Sequence, residues 1–227
     1  MATFKNSLLD NHSRTNLTTI HFFSDIETGL HVTIDTERLH MCSIESTAKN
    51  CNRLAALFGD PEVMEKFATG EPIGKSKVAQ RVENWANRWR NNDPYSGFAC
   101  YIGNTDEFIG CVSPGHGDSP GISEISYLFH KLQWGKGYGS EAVTAIVNEY
   151  VPATIRNGYT LENKVLEKIV ATARTDNPAS QRILEKCGMQ KVGTEEKYGA
   201  TRFLYSKLIN KVKQFYMKCD LIDLLHN

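Results

Sequence analysis

The sequence has no excess of charge of one sign, no paired cysteine motif and no long apolar run. Lysine plus arginine and aspartate plus glutamate number 26 each among 227 residues, so the net charge gives no electrostatic basis for binding nucleic acid or an anionic membrane. The six cysteines are scattered without a C-x-x-C pair, which predicts no metal site and the reduced thiols of a cytoplasmic protein. No stretch approaches the roughly 20 apolar residues of a membrane span, and the N-terminus lacks the apolar segment of a signal peptide.

The sequence does contain a glycine loop between a predicted strand and a predicted helix. Residues 125–129 form an apolar run typical of a buried strand, and a helical pattern begins at Ser140. Between them, Gly135, Gly137 and Gly139 occupy alternate positions, which lets successive N–H groups at the helix N-terminus approach one ligand. The loop suits a pyrophosphate, but its G-x-G-x-G spacing fits neither a Walker loop nor the G-x-G-x-x-G dinucleotide fingerprint.

This loop resembles the motif Gln/Arg-x-x-Gly-x-Gly/Ala of the GNAT acyl-CoA N-acetyltransferases, which holds the pyrophosphate of acetyl-CoA. The run Trp134-Gly135-Lys136-Gly137-Tyr138-Gly139, followed by Ser-Glu-Ala, is similar to the form found in the RimJ/RimL-type ribosomal-protein alanine N-acetyltransferases. A second motif of that branch, N-x-x-S-x-x-x-L-x-K-x-G-M, spans residues 177–189. On these two motifs the chain is identified as a member of the superfamily.

The resemblance covers residues 33–210 and implies the α+β fold of the family. That fold is a mixed, mostly antiparallel sheet of about seven strands, flanked by helices and splayed between strands 4 and 5. We therefore expect an N-terminal extension over residues 1–32, the acetyltransferase domain over residues 33–210 and a C-terminal amphipathic helix over residues 211–227. The apolar stripe of that helix is expected to pack on its own domain or on a homodimer partner, rather than on a membrane surface.

The resemblance also implies where acetyl-CoA binds. Its pantetheine arm would pair with residues 128–130 of the predicted fourth strand, and a backbone N–H near Leu128 or Phe129 would polarise the acetyl carbonyl. The expected cofactor-binding residues are Leu128, Phe129, His130, Trp134, Gly135, Lys136, Gly137, Tyr138, Gly139, Ser140, Asn177 and Lys186.

Two residues are candidates for proton transfer, and each also has a structural explanation. Ser180 matches the serine that this branch proposes as proton donor to the sulfur, but beside the helix cap Asn177 it can simply support the first turn. Glu124 lies where several family members carry a glutamate that deprotonates the amine, but a carboxylate at a strand start is commonly solvated. A glutamate that some ribosomal-protein members carry after the second motif is absent, since Lys191 and Val192 occupy that region.

These observations predict an acetyl-CoA-dependent N-acetyltransferase that needs no metal and transfers the acetyl group directly to a primary amine. A protein N-terminus, alanine or serine, is favoured only by the branch resemblance. One alternative is an acetyltransferase of a small molecule, namely a polyamine, an amino acid or an antibiotic. A polycationic acceptor would be favoured by an acidic cleft built from Glu62, Glu65, Glu71, Glu195 and Glu196. The other alternative is an acyl-CoA binding module without a competent base.

Other conspicuous residues are interpreted structurally. Trp85 and Trp89 recur at helical spacing and are expected in the core rather than in a base-stacking platform. His116 is expected within a loop at residues 113–121, as loop polarity rather than as a catalytic group. Cys187 lies on the apolar side of its predicted helix with no histidine nearby in sequence, so we expect a buried thiol rather than an acyl-carrying nucleophile.

Overall fold

The computed structural model describes residues 18–209, which form one nine-stranded sheet flanked by helices. Neighbouring strands follow the order β1-β2-β3-β4-β5-β6-β7-β9-β8. All pairs are antiparallel except β6 with β7, which is parallel. The strands are β1 (Thr19–Asp25), β2 (Gly29–Asp35), β3 (Leu39–Ser43), β4 (Phe98–Ile102), β5 (Phe108–His116), β6 (Ile122–Phe129), β7 (Lys168–Arg174), β8 (Gln190–Lys197) and β9 (Ala200–Leu208).

The predicted α+β fold is confirmed, with nine strands rather than about seven. The additional strands are β1 and β2, whose hairpin turn is fixed by Asp25: its Oδ1 accepts the N–H groups of Glu27 at 2.7 Å and Thr28 at 3.1 Å. Both strands pair into the sheet, although β1 and the start of β2 fall within the extension expected over residues 1–32. The helix expected over residues 211–227 lies outside the described residues.

The helices begin where the sequence provides caps and proline. Thr47 caps the first helix, since its Oγ1 accepts the N–H of Asn50 at 3.2 Å. Asp60 and Asn177 cap the second and sixth helices, each followed by a proline at the first helical position. A π-helical segment, Ile146–Tyr150, joins the fourth and fifth helices. The helices are α1 (Ala48–Phe58), α2 (Pro61–Met64), α3 (Lys75–Arg90), α4 (Tyr138–Ala145), α5 (Val151–Arg156) and α6 (Pro178–Lys186).

Different helices cover the two faces of the sheet. Side chains of α1, α2 and α3 pack in one apolar cluster with Leu128 of β6. Side chains of α4 and α6 pack in another cluster with Ile125 and Phe129 of the same strand. Because side chains alternate along a strand, Glu124 lies on the α1–α3 face of β6 and Tyr127 lies on the α4–α6 face.

The strands β6 and β7 pair only over their first residues. Their parallel register runs from Ile122 with Lys168 to Glu124 with Val170, although both strands continue for several more residues. They separate beyond Glu124, which confirms the predicted splay, with β6 and β7 as the counterparts of strands 4 and 5. The separation opens a cleft through the sheet that both of its faces share.

The two tryptophans of α3 and the segment after Val112 were also predicted from the sequence. Trp85 is 6% exposed and Trp89 is 3% exposed, so both belong to the core as expected. The loop predicted over residues 113–121 is wrong in its first part, because β5 continues through His116 and pairs there with β6. Within residues 18–209, no helix is both long and apolar enough to cross a membrane.

Candidate functional site

A cleft of about 1090 Å³ follows the separation of β6 and β7. At about 3.3 Å per residue, Phe129, the last residue of β6 before the glycine loop, lies roughly 16 Å along the strand from Glu124. Three expected cofactor-binding residues, His130, Lys136 and Tyr138, do not line the cleft. The structure brings together along it both candidate catalytic residues and nine expected cofactor-binding residues: Glu124, Ser180, Leu128, Phe129, Trp134, Gly135, Gly137, Gly139, Ser140, Asn177 and Lys186.

The edge of β6 that borders the cleft has backbone donors free of strand pairing. His130 donates its N–H to the carbonyl of Ile109 in β5 at 2.9 Å, and in an antiparallel pair alternate residues direct their backbone groups to the same side. The N–H of Leu128 therefore points to β5, whereas those of Tyr127 and Phe129 point to the region that β7 has left. Of the two N–H donors expected from the sequence, the geometry favours Phe129.

The glycine loop has a backbone conformation that suits glycine. Gly135 and Gly137 have φ values of 74° and 86°, in the left-handed region that other residues rarely adopt. Gly137 precedes α4 and no side chain caps this helix, so its first N–H groups and the positive end of its dipole are available to a ligand. An ideal Cβ on Gly139 would lie 3.1 Å from Cδ1 of Ile183, so glycine there lets α4 approach α6 closely.

An ion pair that the sequence reasoning missed fixes this loop. Arg38 donates through Nε and Nη2 to Oε2 of Glu141, at 2.6 Å each, and through Nη1 to the carbonyl of Lys136 at 2.9 Å. Its guanidinium lies 4.8 Å from the centroid of the Tyr138 ring. Glu141 is 11% exposed and also accepts a hydrogen bond from Thr36 at 2.6 Å. The Ser-Glu-Ala sequence drew attention to Glu141, but no sequence pattern indicated that Arg38, 103 residues away, would be its partner.

Trp134 connects the same loop to the end of β6. Its Nε1–H donates to the carbonyl of Phe129 at 2.8 Å, while the ring remains half exposed. This carbonyl points to the same side of β6 as the N–H of Phe129. The indole therefore fixes the orientation of the backbone that borders the cleft, at a position where the general motif has glutamine or arginine.

A pair of hydroxyl groups lies midway along the cleft. The Oγ of Ser180 is 2.8 Å from the phenol oxygen of Tyr127. Asn177 accepts the N–H of Ser180 at 3.1 Å, so the helix cap expected at Asn177 is present. Burial raises the pKa of Tyr127 well above its ordinary value, which keeps the phenol protonated. Sequence reasoning missed Tyr127, because within an apolar strand it resembles any core aromatic residue.

Glu124 lies at the far end of the cleft, on the α1–α3 face. Its side chain is 33% exposed, and its Oε1 is 4.0 Å from Nζ of Lys197. Burial raises the pKa of Glu124, and the charge of Lys197 opposes this shift. A carboxylate with a raised pKa beside a cleft is suited to accept a proton.

Two other candidate groups, His116 and Cys187, have structural roles. His116 lines the cleft, but its Nε2 is 2.6 Å from Asp93 and its Nδ1 is 3.2 Å from Glu162. The hydrogen bond to Asp93 raises the pKa of His116, which favours the imidazolium form over a free base. Cys187 is fully buried and burial raises its pKa, so the prediction of a buried thiol is confirmed. Among residues 18–209, no group of three or more His, Cys, Asp or Glu side chains is placed to hold a metal ion.

The glutamates proposed for a polycationic acceptor are not gathered in the cleft. Glu62 and Glu65 line it, and each forms an ion pair with a lysine, Lys131 and Lys66 respectively. The cleft is therefore not the acidic site that this alternative requires. The remaining members of the set lie outside its lining: Glu71, Glu195 and Glu196.

Comparison with known proteins gives a family and a set of related folds. The model of the family described as Acetyltransferase (GNAT) domain matches residues 43–190. The uncharacterized N-acetyltransferase p20 of Bacillus licheniformis is 28% identical over 167 residues, which cover 73% of this chain and 86% of p20.

Two solved structures share the fold at low sequence identity. The ribosomal-protein-S5-alanine acetyltransferase of Vibrio fischeri has a TM-score of 0.60 and 18% identity, covering 78% of this chain and 96% of that one. RimL, a ribosomal L7/L12 α-N-protein acetyltransferase solved with coenzyme A, has a TM-score of 0.60 and 16% identity, covering 76% and 95%. The family match confirms the predicted acyltransferase class with acetyl-CoA as donor. This chain belongs to the GNAT acetyltransferase family.

Proposed function

We propose that this protein transfers an acetyl group from acetyl-CoA directly to a primary amine, within a complex that holds both substrates. The observation that carries the proposal is one continuous cleft that joins the glycine loop, the Ser180 hydroxyl and the Glu124 carboxylate. Because the cleft passes through the sheet, the donor reaches it from the α4–α6 face and the acceptor from the α1–α3 face.

The donor end of the cleft fits the groups of acetyl-CoA. The uncapped N–H groups at the start of α4 bind its pyrophosphate, with Lys186 contributing a positive charge. The unpaired edge of β6 binds the amides of the pantetheine arm, as an additional strand would. The N–H of Phe129 donates to the thioester carbonyl and stabilises the negative charge that develops on its oxygen.

The acceptor amine must lose a proton before its nitrogen can attack the thioester carbon. Glu124 accepts this proton from the ammonium group. Since Glu124 lies roughly 16 Å along the strand from Phe129, the proton passes through water. The C–N bond then forms and the C–S bond breaks.

Ser180 donates its hydroxyl proton to the departing thiolate, and its hydrogen bond with Tyr127 orients it for this step. The second proton of the amine nitrogen passes through solvent and restores the hydroxyl of Ser180. The products are an amide and the free thiol of coenzyme A.

The acceptor we favour is a protein N-terminus that begins with alanine or serine. Its support is the fold shared with the ribosomal-protein acetyltransferases. A small-molecule amine is the alternative. We place the reaction in the cytoplasm, in keeping with the free thiols of the five described cysteines. A homodimer stays a prediction, because the helix expected to form it lies outside the described residues.

Release of coenzyme A thiol, measured across N-terminal peptides and small amines, tests the proposal. We expect Glu124→Gln to lower kcat by about 100-fold or more, the usual contribution of a general base, while calorimetry finds an unchanged Kd for acetyl-CoA. The control is Glu65→Gln, another glutamate of the cleft that has a lysine partner.

The pH dependence provides a second readout. As pH falls through the raised pKa of Glu124, the carboxyl becomes protonated and kcat/KM decreases. The Glu124→Gln variant should lose this acidic limb. Acetyl-CoA binding without turnover of any amine would instead indicate the non-catalytic binding module.

A further inference from the structure

One face of α3 presents a stripe of cations to the acceptor side of the cleft. Lys77, Arg81, Asn84 and Arg88 recur at spacings of four, three and four residues, and all of them line the cleft. They lie beside the apolar stripe that packs α3 on the sheet. The carboxylate of α3, Glu83, is engaged elsewhere, with Arg90 and Ser46.

These cations have no carboxylate partners among residues 18–209. Lys77, Arg81 and Arg88 form no ion pair within 4.0 Å, in contrast to the four arginines that do: Arg38, Arg53, Arg90 and Arg174. Arg81 is instead stacked on apolar rings, 5.1 Å from the centroid of Phe58. Stacking of this kind holds a guanidinium in place and leaves its N–H groups available.

A third arginine approaches from the opposite side of the cleft. Arg202 of β9 lines the cleft and is only 5% exposed. It donates to the hydroxyl of Thr172 at 2.9 Å and to the carbonyl of Ala68 at 3.5 Å, and within residues 18–209 it has no carboxylate within 4.0 Å. Burial lowers its pKa. A buried cation without an anion costs free energy, and an anionic ligand would offset that cost.

Two of these arginines lie on the same face of the sheet as the proposed base. Glu124 pairs in register with Gly115, and an ideal Cβ on Gly115 would lie 3.7 Å from Nη1 of Arg88. Side chains of directly paired residues are about 5 Å apart on the same face, so Arg88, which donates through Nη1 to the carbonyl of Tyr95 at 3.2 Å, lies over the same face of β5 and β6 as Glu124. Arg202 is close enough for its charge to influence the pKa of Glu124.

The charge of the cleft contrasts with that of the whole chain. The net charge of the protein is zero, yet seven lysines and arginines and only three glutamates line the cleft. Two of those glutamates, Glu62 and Glu65, are neutralised by lysines. Lys186 and Arg182 belong to the donor end, on α6, and Lys66 is paired with Glu65 and Asp176. The cations left for the acceptor are therefore Lys77, Arg81, Arg88 and Arg202.

We propose that the acceptor is an anionic amine, in which a carboxylate or phosphate is bound by Arg88 and Arg202 on the acceptor side of the cleft. The primary amine reaches along the cleft toward Phe129, and its proton passes through water to Glu124. This inference rests on the proposed function and names the substrate class of the same site. The planar guanidinium fork binds either anion through two parallel hydrogen bonds.

The spacing of the stripe predicts a second anionic group on a longer acceptor. Arg81 and Arg88 are seven residues apart, roughly 10 Å along a helix, so they cannot bind the same carboxylate. An N-terminal segment with acidic residues near its amine would engage both. A small acidic amine would engage only Arg88 and Arg202.

The first experiment compares acceptors that differ only in charge. The probes are peptides beginning Ala-Asp-Glu, Ala-Asn-Gln and Ala-Lys-Lys, and free O-phosphoserine, with thiol release as the readout. We expect kcat/KM for the acidic peptide to exceed that for the amide peptide by about tenfold or more, with the ratio decreasing in high salt. Efficient turnover of O-phosphoserine would identify a small anionic amine, and turnover of the acidic peptide alone an N-terminal segment.

Variants then test which arginines discriminate. Arg88→Gln should lower the ratio of kcat/KM for the acidic peptide to kcat/KM for the amide peptide about tenfold. Arg81→Glu should shift the preference toward Ala-Lys-Lys, which a merely structural role would not do. Arg156→Gln is the control, because Arg156 does not line the cleft.

The outcomes separate this inference from the proposed function. Equal turnover of the acidic, amide and lysine peptides would overturn the inference alone. Acetyl-CoA binding without turnover of any acceptor would overturn the proposed function, and the inference with it.

Discussion

The contact between Arg38 and the glycine loop leads to a quantitative prediction for Arg38→Gln. The substitution removes the bonds from the guanidinium to Glu141 and to the carbonyl of Lys136. The backbone N–H of Arg38 still donates to Glu141 at 2.9 Å. The loop would therefore lose its support while the turn before β3 is retained.

The magnitude follows from the one bond that holds the loop itself. A hydrogen bond from a charged group contributes about 1.5–3 kcal/mol, and the 43% exposure of Arg38 reduces this to about 1 kcal/mol. Since about 1.4 kcal/mol corresponds to a tenfold change in affinity, the Kd for acetyl-CoA should rise about fivefold. The value of kcat at saturating acetyl-CoA should stay unchanged, because Arg38 does not line the cleft.

Calorimetric titration with acetyl-CoA, together with steady-state kinetics, provides the assay. Arg90→Gln is the matched control: Arg90 also pairs with a glutamate, Glu83, and both side chains are 47% exposed. It should leave the Kd unchanged. Arg38→Lys retains the charge but loses the fork, so a Kd equal to that of the native protein would mean that charge alone acts. An unchanged Kd in Arg38→Gln would refute the reasoning.

Three further predictions concern the loop and the stability of the domain. Trp134→Phe keeps a ring but loses the 2.8 Å hydrogen bond to the carbonyl of Phe129. Losing about 1 kcal/mol of interaction free energy should raise KM for acetyl-CoA about fivefold. An unchanged KM would contradict this. Gly137→Ala places a Cβ on a residue with φ of 86°, so a strain of about 1–2 kcal/mol in the folded state should lower Tm by several degrees. The control is Gly74→Ala, whose Cβ would meet nothing within 4 Å and which should not lower Tm. His116→Gln removes an imidazole whose pKa a hydrogen bond raises. The variant should be less stable than the native protein; this difference should be largest below the unfolded pKa of about 6.5 and vanish as pH rises through the folded pKa. Thermal unfolding from pH 5.5 to 9 would measure it, and a difference that grows with pH would count against the ion pair.

Local features of the sequence could be predicted because they depend on near neighbours. The helical spacing of Trp85 and Trp89 places both on the buried side of α3 whatever the rest of the chain does. The alternating glycines define a loop conformation that few other residues adopt. Asn177 followed by proline begins a helix through its own side-chain hydrogen bond.

Contacts between distant segments could not be predicted in the same way. The Tyr127–Ser180 pair joins residues 53 positions apart, and its formation depends on how closely α6 lies over β6. The end of β5 was predicted as a loop because of its glycine and proline, yet pairing with β6 extends the strand to His116. Tertiary pairing overrides local preference at such positions.

The sequence by itself determined the family, the glycine loop and the order of the elements, because each is encoded in short-range spacing. Only the tertiary structure decided the properties of the cleft. The point where β6 and β7 separate fixes which N–H groups stay unpaired, and the packing of α3 and β9 beside β6 brings Arg88 and Arg202 to the face of the sheet that carries Glu124. The sequence did not reveal this cationic site because the whole chain has no net charge. Only folding brings the unpaired arginines to one place.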